Sequence, residues 1–134
     1  MKVMVFVKAT NDSEDGAPPD PKAMEAMGKF NETLIAAGIL KENIMGGLKP
    51  TRLGKRVHFS GKNRTVIDGP FAETKEVVAG FWLWEVKSIE EAVEWVKKCP
   101  NPMPTDSEVE IRPLFSLEEI QAGLRSVFRT PPLD

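Results

Sequence analysis

The sequence predicts an α+β fold of the ferredoxin-like type, a βαββαβ sandwich with an inserted β-hairpin. Two observations lead to this prediction: apolar, strand-like segments occupy residues 2–8 and 79–87, and an amphipathic helical pattern follows each of them. Further strand-like segments follow each helix. Four main strands and two helices in this order form an antiparallel sheet with both helices on one face.

The first strand and helix have the clearest signals. Residues 2–8 read Lys-Val-Met-Val-Phe-Val-Lys, which is typical of a central strand. Residues 11–20 are polar, acidic and rich in Gly and Pro, and they predict a loop. Asp20-Pro21 predicts a helix start, because Asp accepts hydrogen bonds from free amides and Pro suits the first helical position. We expect this helix to extend to about Ala37, on the apolar spacing of Met24, Met27, Phe30, Leu34 and Ile35.

The middle of the chain predicts short strands. Residues 46–50 indicate a short strand or a bend. Residues 55–60 and 64–68 predict two strands joined by Gly61-Lys62-Asn63, which forms the inserted hairpin.

The strand at residues 79–87 carries large apolar side chains on both faces. Alternation places Trp82, Trp84 and Val86 on one face, and Phe81, Leu83 and Glu85 on the other. Because two helices cover only one face of the sheet, we predict that Trp82 and Trp84 project from the uncovered face. A second copy of the chain would bury them, so the sequence predicts a homodimer.

Two capping boxes organise the C-terminal part. Ser88–Glu91 and Ser116–Glu119 each place Ser three residues before Glu, which predicts a helix start at both positions. Residues 108–112 alternate as a strand, with Val109 and Ile111 inward. We expect the last helix to fray before Pro131. The first of these helices has a predicted buried stripe of Ile89, Ala92, Val93 and Val96.

Composition limits the classes of function. The chain has 134 residues, of which 41% are hydrophobic and 28% charged, as in a soluble protein. We assign residues 1–115 to one domain and residues 116–134 to its C-terminal helical extension. No apolar run approaches the ~20 residues of a membrane span, and the N-terminus lacks signal-peptide layout, which predicts a cytoplasmic protein with no membrane contact. The net charge of −2 argues against nucleic-acid binding.

The sequence predicts neither a metal site nor a cofactor. Cys99 is the single cysteine, and it has no neighbouring histidine to activate it, so we expect a packing role. His58 is the single histidine, and its position on a hairpin strand indicates a surface residue. No second histidine or tight carboxylate cluster supports metal binding, and no phosphate-binding loop occurs.

The nonapeptide at residues 68–76, Asp-Gly-Pro-Phe-Ala-Glu-Thr-Lys-Glu, is the candidate site. Asp68 ends a strand before a sharp Gly-Pro turn, and it is the candidate catalytic residue. A carboxylate partly shielded by apolar neighbours acts as a general acid or base if its pKa moves toward neutrality. The alternative is an Asp that caps its own turn.

The candidate ligand-binding residues are Phe71, Glu73 and Lys75 of the nonapeptide and Arg64 of the hairpin. Six basic residues and no acid lie between Glu42 and Asp68, which indicates a small anionic or polar ligand. The alternatives are weak surface ion pairs and a strand edge protected by charge. The six are Lys49, Arg52, Lys55, Arg56, Lys62 and Arg64.

At the nonapeptide the chain resembles the YCII-related family, in its DGPF-domain branch. The opening Met-Lys-Val-Met-Val-Phe and the segments at residues 47–50, 80–83 and 108–113 share this resemblance, which covers about residues 1–115. It implies a ferredoxin-like fold that forms a dimeric α+β barrel. The wider family is similar to muconolactone-processing enzymes, and a His/Asp pair has been proposed as the active centre of the YCII-related family. Asp68 matches its acid, whereas the expected helix, residues 21–30, holds no histidine.

Three functional hypotheses follow. The first is a dimeric small-molecule-binding module. The alternative is an enzyme that uses Asp68 for proton transfer on a lactone- or enol-type molecule. The third is a structural role, in which the nonapeptide fixes the hairpin to the central strand.

Overall fold

Six strands and four helices make up this computed structural model, which describes residues 1–71 and 73–129 without the side chains of Lys75 and residues 125–129. Two short 3-10 turns, Thr51–Leu53 and Thr74–Glu76, complete the regular structure. The strands and helices are β1 (Lys2–Lys8), α1 (Asn11–Glu14), α2 (Pro21–Ala36), β2 (Met45–Gly47), β3 (Lys55–Ser60), β4 (Asn63–Asp68), β5 (Val78–Glu85), α3 (Ile89–Lys97), β6 (Val109–Pro113) and α4 (Leu117–Arg129).

The main sheet has the strand order β2-β5-β1-β6, and every neighbouring pair is antiparallel. This order is compatible with the ferredoxin-like fold, and the α+β class is confirmed. Strands β3 and β4 form a separate two-stranded hairpin. Gly61 has a φ of 56° at the hairpin turn, a left-handed conformation that glycine adopts without strain. The predicted insertion is therefore a distinct β-hairpin.

The hydrophobic core lies between the sheet and the helices α2 and α3. Strand β1 contributes Val3, Val5 and Val7 to it, and the helices contribute Phe30, Leu34 and Ala92. Trp82 and Trp84 lie in this same core, with exposed fractions of 5% and 0%. The prediction that they project from the uncovered face is wrong. Alternation sorts the side chains of β5 into two faces, but both sets are large and apolar, so the pattern leaves open which set meets the helices.

The opposite face of the sheet, which we call the open face, presents apolar side chains along its middle. Met4 pairs with Leu83, and Phe6 pairs with Phe81, across β1 and β5. All four side chains are half-buried in the single chain. Charged residues of the neighbouring β6, Glu110 and Arg112, flank them.

The segment before α2 differs from the predicted loop. The amide of Thr10 donates to Ser13 Oγ at 3.0 Å, and the Ser13 hydroxyl donates to the Thr10 carbonyl oxygen at 2.9 Å, which starts the short helix α1. Asp20 occupies the N-cap position of α2, but its side chain makes no capping hydrogen bond. The predicted capping role of Asp20 is therefore wrong, although α2 begins and ends within one residue of its predicted bounds.

Both predicted capping boxes start helices. Ser88 Oγ accepts a hydrogen bond from the amide of Glu91 at 3.2 Å. Ser116 Oγ accepts one from the amide of Glu119 at 3.0 Å, and the Glu119 carboxylate accepts one in return. Val93, predicted to be buried in α3, is 38% exposed, and Trp95 packs against the core instead.

Helix α4 contributes no residue to the buried core among those described. Its apolar residues Leu117, Ile120 and Leu124 are exposed. The predicted fraying before Pro131 lies outside the described residues. Within the described part of the chain, no helix combines the length and the apolar character that crossing a membrane requires.

Candidate functional site

Asp68 ends strand β4 and forms a surface ion pair. Its Oδ1 atom lies 2.5 Å from Lys55 Nζ, which sits opposite it on β3, and both side chains are largely exposed. An exposed pair of this kind contributes at most about 1 kcal/mol to stability. The carboxylate thus faces solvent and a lysine, in place of the shielding apolar neighbours that proton transfer near neutral pH requires.

The turn after Asp68 packs tightly against the 3-10 turn Thr51–Leu53. A Cβ atom on Gly69 would lie 1.7 Å from the Thr51 carbonyl oxygen, so only glycine fits there. The Gly69 amide donates to the Gly54 carbonyl oxygen at 3.0 Å, and the Phe71 amide donates to Thr51 Oγ1 at 3.2 Å. The Thr51 hydroxyl in turn donates to the Glu14 carboxylate. These contacts give the first half of the nonapeptide an anchoring role.

The predicted ligand-binding residues do not form one cluster. Phe71 is half-buried, and the guanidinium carbon of Arg56 lies 3.8 Å from its ring centre. Arg64 instead lies over Phe59 at 4.5 Å, near the far end of the hairpin. Asp68 lies four positions after Arg64 on β4, which corresponds to about 13 Å along a strand.

The remaining predicted residues have simpler surroundings. Glu73 is exposed, and the side chain of Lys75 lies outside the described residues. His58 is exposed on β3, as predicted. Cys99 is partly buried, and this burial raises the pKa of its thiol to about 11, which fits the predicted packing role.

A cavity of about 1060 Å³ opens on the helix side of the sheet. It lies between the first half of α2, the preceding loop at residues 16–20, strand β2 and the loop at residues 102–104. We call it the helix-side cavity. Binding sites for small molecules typically enclose about 300–1,000 Å³, so its size suits one. Among the residues that the structure describes, neither Asp68 nor another predicted site residue lines it.

The lining of the helix-side cavity is rich in sulfur, with one aromatic side chain among the described residues. Trp82 comes from β5, and four methionines come from α2, β2 and the 102–104 loop. Met24 and Met27 belong to the apolar spacing that predicts α2, but Met24 is 58% exposed. Helical spacing alone does not separate a core stripe from a cavity wall. The methionines are Met24, Met27, Met45 and Met103.

Polar groups in the lining are few, and the charged ones among the described residues are acidic. The Trp82 indole Nε1 donates to Asn31 Oδ1 at 2.9 Å, and both residues line the cavity. Asp12 and Asp20 are the charged residues of the lining, and within the described residues it contains no basic side chain. No sequence pattern distinguishes Asn31, because one polar residue in an amphipathic helix is ordinary.

The fold is that of a small α+β protein. It has an antiparallel sheet with two helices on one face, and α2 contributes to the wall of the cavity. The model of the YCII-related domain family matches residues 1–118. An uncharacterised protein of Rhizobium meliloti (strain 1021) is 33% identical over 95 residues, which cover 71% of this chain and 75% of that relative. The chain belongs to the YCII-related family.

Proposed function

We propose that this protein is a dimeric module that binds a small molecule in the helix-side cavity. The observation that carries the proposal is the cavity itself, which has about 1060 Å³ of space and walls that include four methionines and Trp82. Buried apolar surface supplies most of the binding free energy for small ligands, and a few polar groups orient them. Asn31 and Trp82 are polar groups of this kind.

The open face supports the dimeric part of the proposal. It presents Met4, Phe6, Phe81 and Leu83 side by side, away from the helices. The detached hairpin adds further exposed apolar side chains, and an isolated two-stranded hairpin is only marginally stable in water. A second copy that covers these surfaces would remove them from water. The hairpin residues are Val57, Phe59, Val66 and Ile67.

Ligand binding is tested with Nile red, an uncharged dye whose emission rises in apolar surroundings. Ala23 and Ala26 are both exposed residues of α2. Ala23 lines the cavity, whereas Ala26 does not. We expect Ala23→Trp to narrow the cavity and weaken the emission increase, and the matched Ala26→Trp variant to keep it. Equal dye binding by both variants would exclude the cavity as the site.

Dimerisation is tested by sedimentation at micromolar protein. Leu83→Glu places a carboxylate on the open face, and we expect it to yield monomers. Thr33→Glu adds the same charge to an exposed position of α2 and should leave the dimer intact. Wild-type protein that sediments as a monomer contradicts this part of the proposal.

Proton transfer by Asp68 remains a prediction. The variant Asp68→Asn tests whether Asp68 also takes part in ligand binding. Because Asp68 does not line the cavity, we expect this variant to bind Nile red like the wild type. A loss of dye binding with unchanged thermal stability would instead place Asp68 at the site.

A further inference from the structure

We infer that the helix-side cavity selects an apolar molecule that carries an uncharged oxygen acceptor, such as a ketone, and that Asn31 is the residue that recognises this oxygen. This inference rests on the proposed function, since it names the ligand class of the same cavity. It comes from the hydrogen bond between Asn31 and Trp82 and from the charges in the lining.

The indole of Trp82 fixes the orientation of the Asn31 side chain. An indole N–H only donates hydrogen bonds, so the group that faces it at 2.9 Å must be the amide oxygen of Asn31. The Nδ2 group, with two N–H donors, then points away from the indole. Within the described residues Nδ2 donates to no protein acceptor, although Asn31 is half-buried in the cavity wall.

An oxygen acceptor on the ligand would satisfy this amide group. The Trp82 side chain is 5% exposed and packs against Phe30 of α2. It therefore holds the Asn31 amide donor in place before a ligand arrives. A ligand that covers this donor without accepting from it leaves the donor buried and without a partner, which costs free energy, so a molecule without an acceptor binds less well than one that has it. The methionine side chains and the Trp82 ring accommodate the apolar remainder of the ligand.

The charges of the lining disfavour an anion. Asp12 and Asp20 line the cavity, and within the described residues neither carboxylate takes part in an ion pair or a side-chain hydrogen bond. No lysine, arginine or histidine stands among the described lining residues to offset them. Two carboxylates beside a largely apolar space repel a third. The anionic ligand predicted from the basic hairpin is therefore not suited to this cavity.

Three matched probes test the inference: acetophenone, α-methylstyrene and benzoate. The first two share size and shape, but a methylene group replaces the carbonyl oxygen in α-methylstyrene. Benzoate keeps an oxygen acceptor and adds a negative charge. Isotope-labelled methionine methyl groups report binding by NMR, because four of the six methionines line the cavity, while Met1 and Met4 lie elsewhere.

We expect acetophenone to shift the four cavity methyl signals and to leave Met1 and Met4 unchanged. α-Methylstyrene should bind about tenfold more weakly, as expected for one lost hydrogen bond. Benzoate should bind more weakly than acetophenone, and a double Asp12→Asn, Asp20→Asn variant should reduce that difference.

Asn31→Asp supplies the matched variant, because its carboxylate still accepts from the Trp82 indole but has no donor. It should weaken acetophenone about tenfold and α-methylstyrene by less than about twofold. The inference is overturned if Asn31→Asp leaves the ratio of the two affinities unchanged, or if benzoate binds as tightly as acetophenone. In both cases the cavity still binds ligands and the proposed function survives. If none of the probes shifts a cavity methyl signal at millimolar concentration, the inference and the proposed function both fail.

Discussion

The guanidinium carbon of Arg56 lies 3.8 Å from the ring centre of Phe71, which links the hairpin to the nonapeptide. A cation–π contact of this kind stabilises by about 0.5–1 kcal/mol at an exposed site. A double-mutant cycle of Arg56→Gln and Phe71→Leu, measured by chemical unfolding, should therefore give a coupling free energy of that size. As a control, Arg52→Gln combined with Phe71→Leu should be additive. Additivity in the first cycle would show that the contact contributes no stability.

Gly69 leaves no space for a side chain. A Cβ atom there would meet the Thr51 carbonyl oxygen at 1.7 Å, and backbone atoms on both sides resist displacement. Gly69→Ala should lower the free energy of unfolding by about 3 kcal/mol or more. Gly28 in α2 has open space around it, so Gly28→Ala should raise stability by about 0.5–1 kcal/mol. Thermal unfolding compares the two, and similar effects would contradict the close packing.

Leu34 and Ile35 are neighbours in α2 with opposite burial. Leu34 is 0% exposed and packs in the core, whereas Ile35 is 50% exposed. Leu34→Ala should cost about 2–5 kcal/mol, because it removes apolar contacts and leaves a cavity. Ile35→Ala should cost less than about 1 kcal/mol. A large loss for Ile35→Ala would indicate that a partner surface covers this position.

Cys99 should react slowly with alkylating reagents in the folded protein. Burial raises the pKa of its thiol from 9.0 to about 11, and the thiolate is the reactive form. The folded state therefore holds this proton more tightly than the unfolded state. The resulting stability is complete below pH 9.0 and is lost as the pH rises toward about 11.

The measurement for Cys99 is the rate of iodoacetamide labelling between neutral pH and pH 10, with and without denaturant. Denatured protein should label faster across this range, by about tenfold or more where the two thiolate fractions differ most. A Cys99→Ser variant controls for reaction at other residues. Equal labelling rates in the folded and denatured states would contradict the burial of the thiol.

Most of the fold was predictable from the sequence, because periodicity and helix starts are local signals. Strand β1, the hairpin strands, helix α2 and both capping boxes all lie within a residue or two of their predicted positions. The burial of Trp82 and Trp84 was not predictable in the same way. It depends on which side of the sheet α2 packs, and that is a property of the tertiary structure.

The candidate site was less predictable than the fold. The nonapeptide combines charged residues with a Gly-Pro turn, which is why the sequence favours it as a site. Its described contacts instead anchor it to Thr51 and Arg56. The helix-side cavity brings together residues from α2, β2, β5 and two loops, most of them apolar. No local pattern marks such a cavity. Asn31 gains its importance only from its hydrogen bond to Trp82, a residue 51 positions away.

The Thr51 hydroxyl forms hydrogen bonds with two segments outside its own 3-10 turn. It accepts a hydrogen bond from the Phe71 amide and donates one to the Glu14 carboxylate. These two hydrogen bonds form a relay that connects three segments of the chain. Ser13 and Pro50, next to two members of this relay, belong to the wall of the helix-side cavity. The two hydrogen bonds therefore tie the backbone at Phe71 to residues beside the wall of a cavity that Phe71 itself does not line.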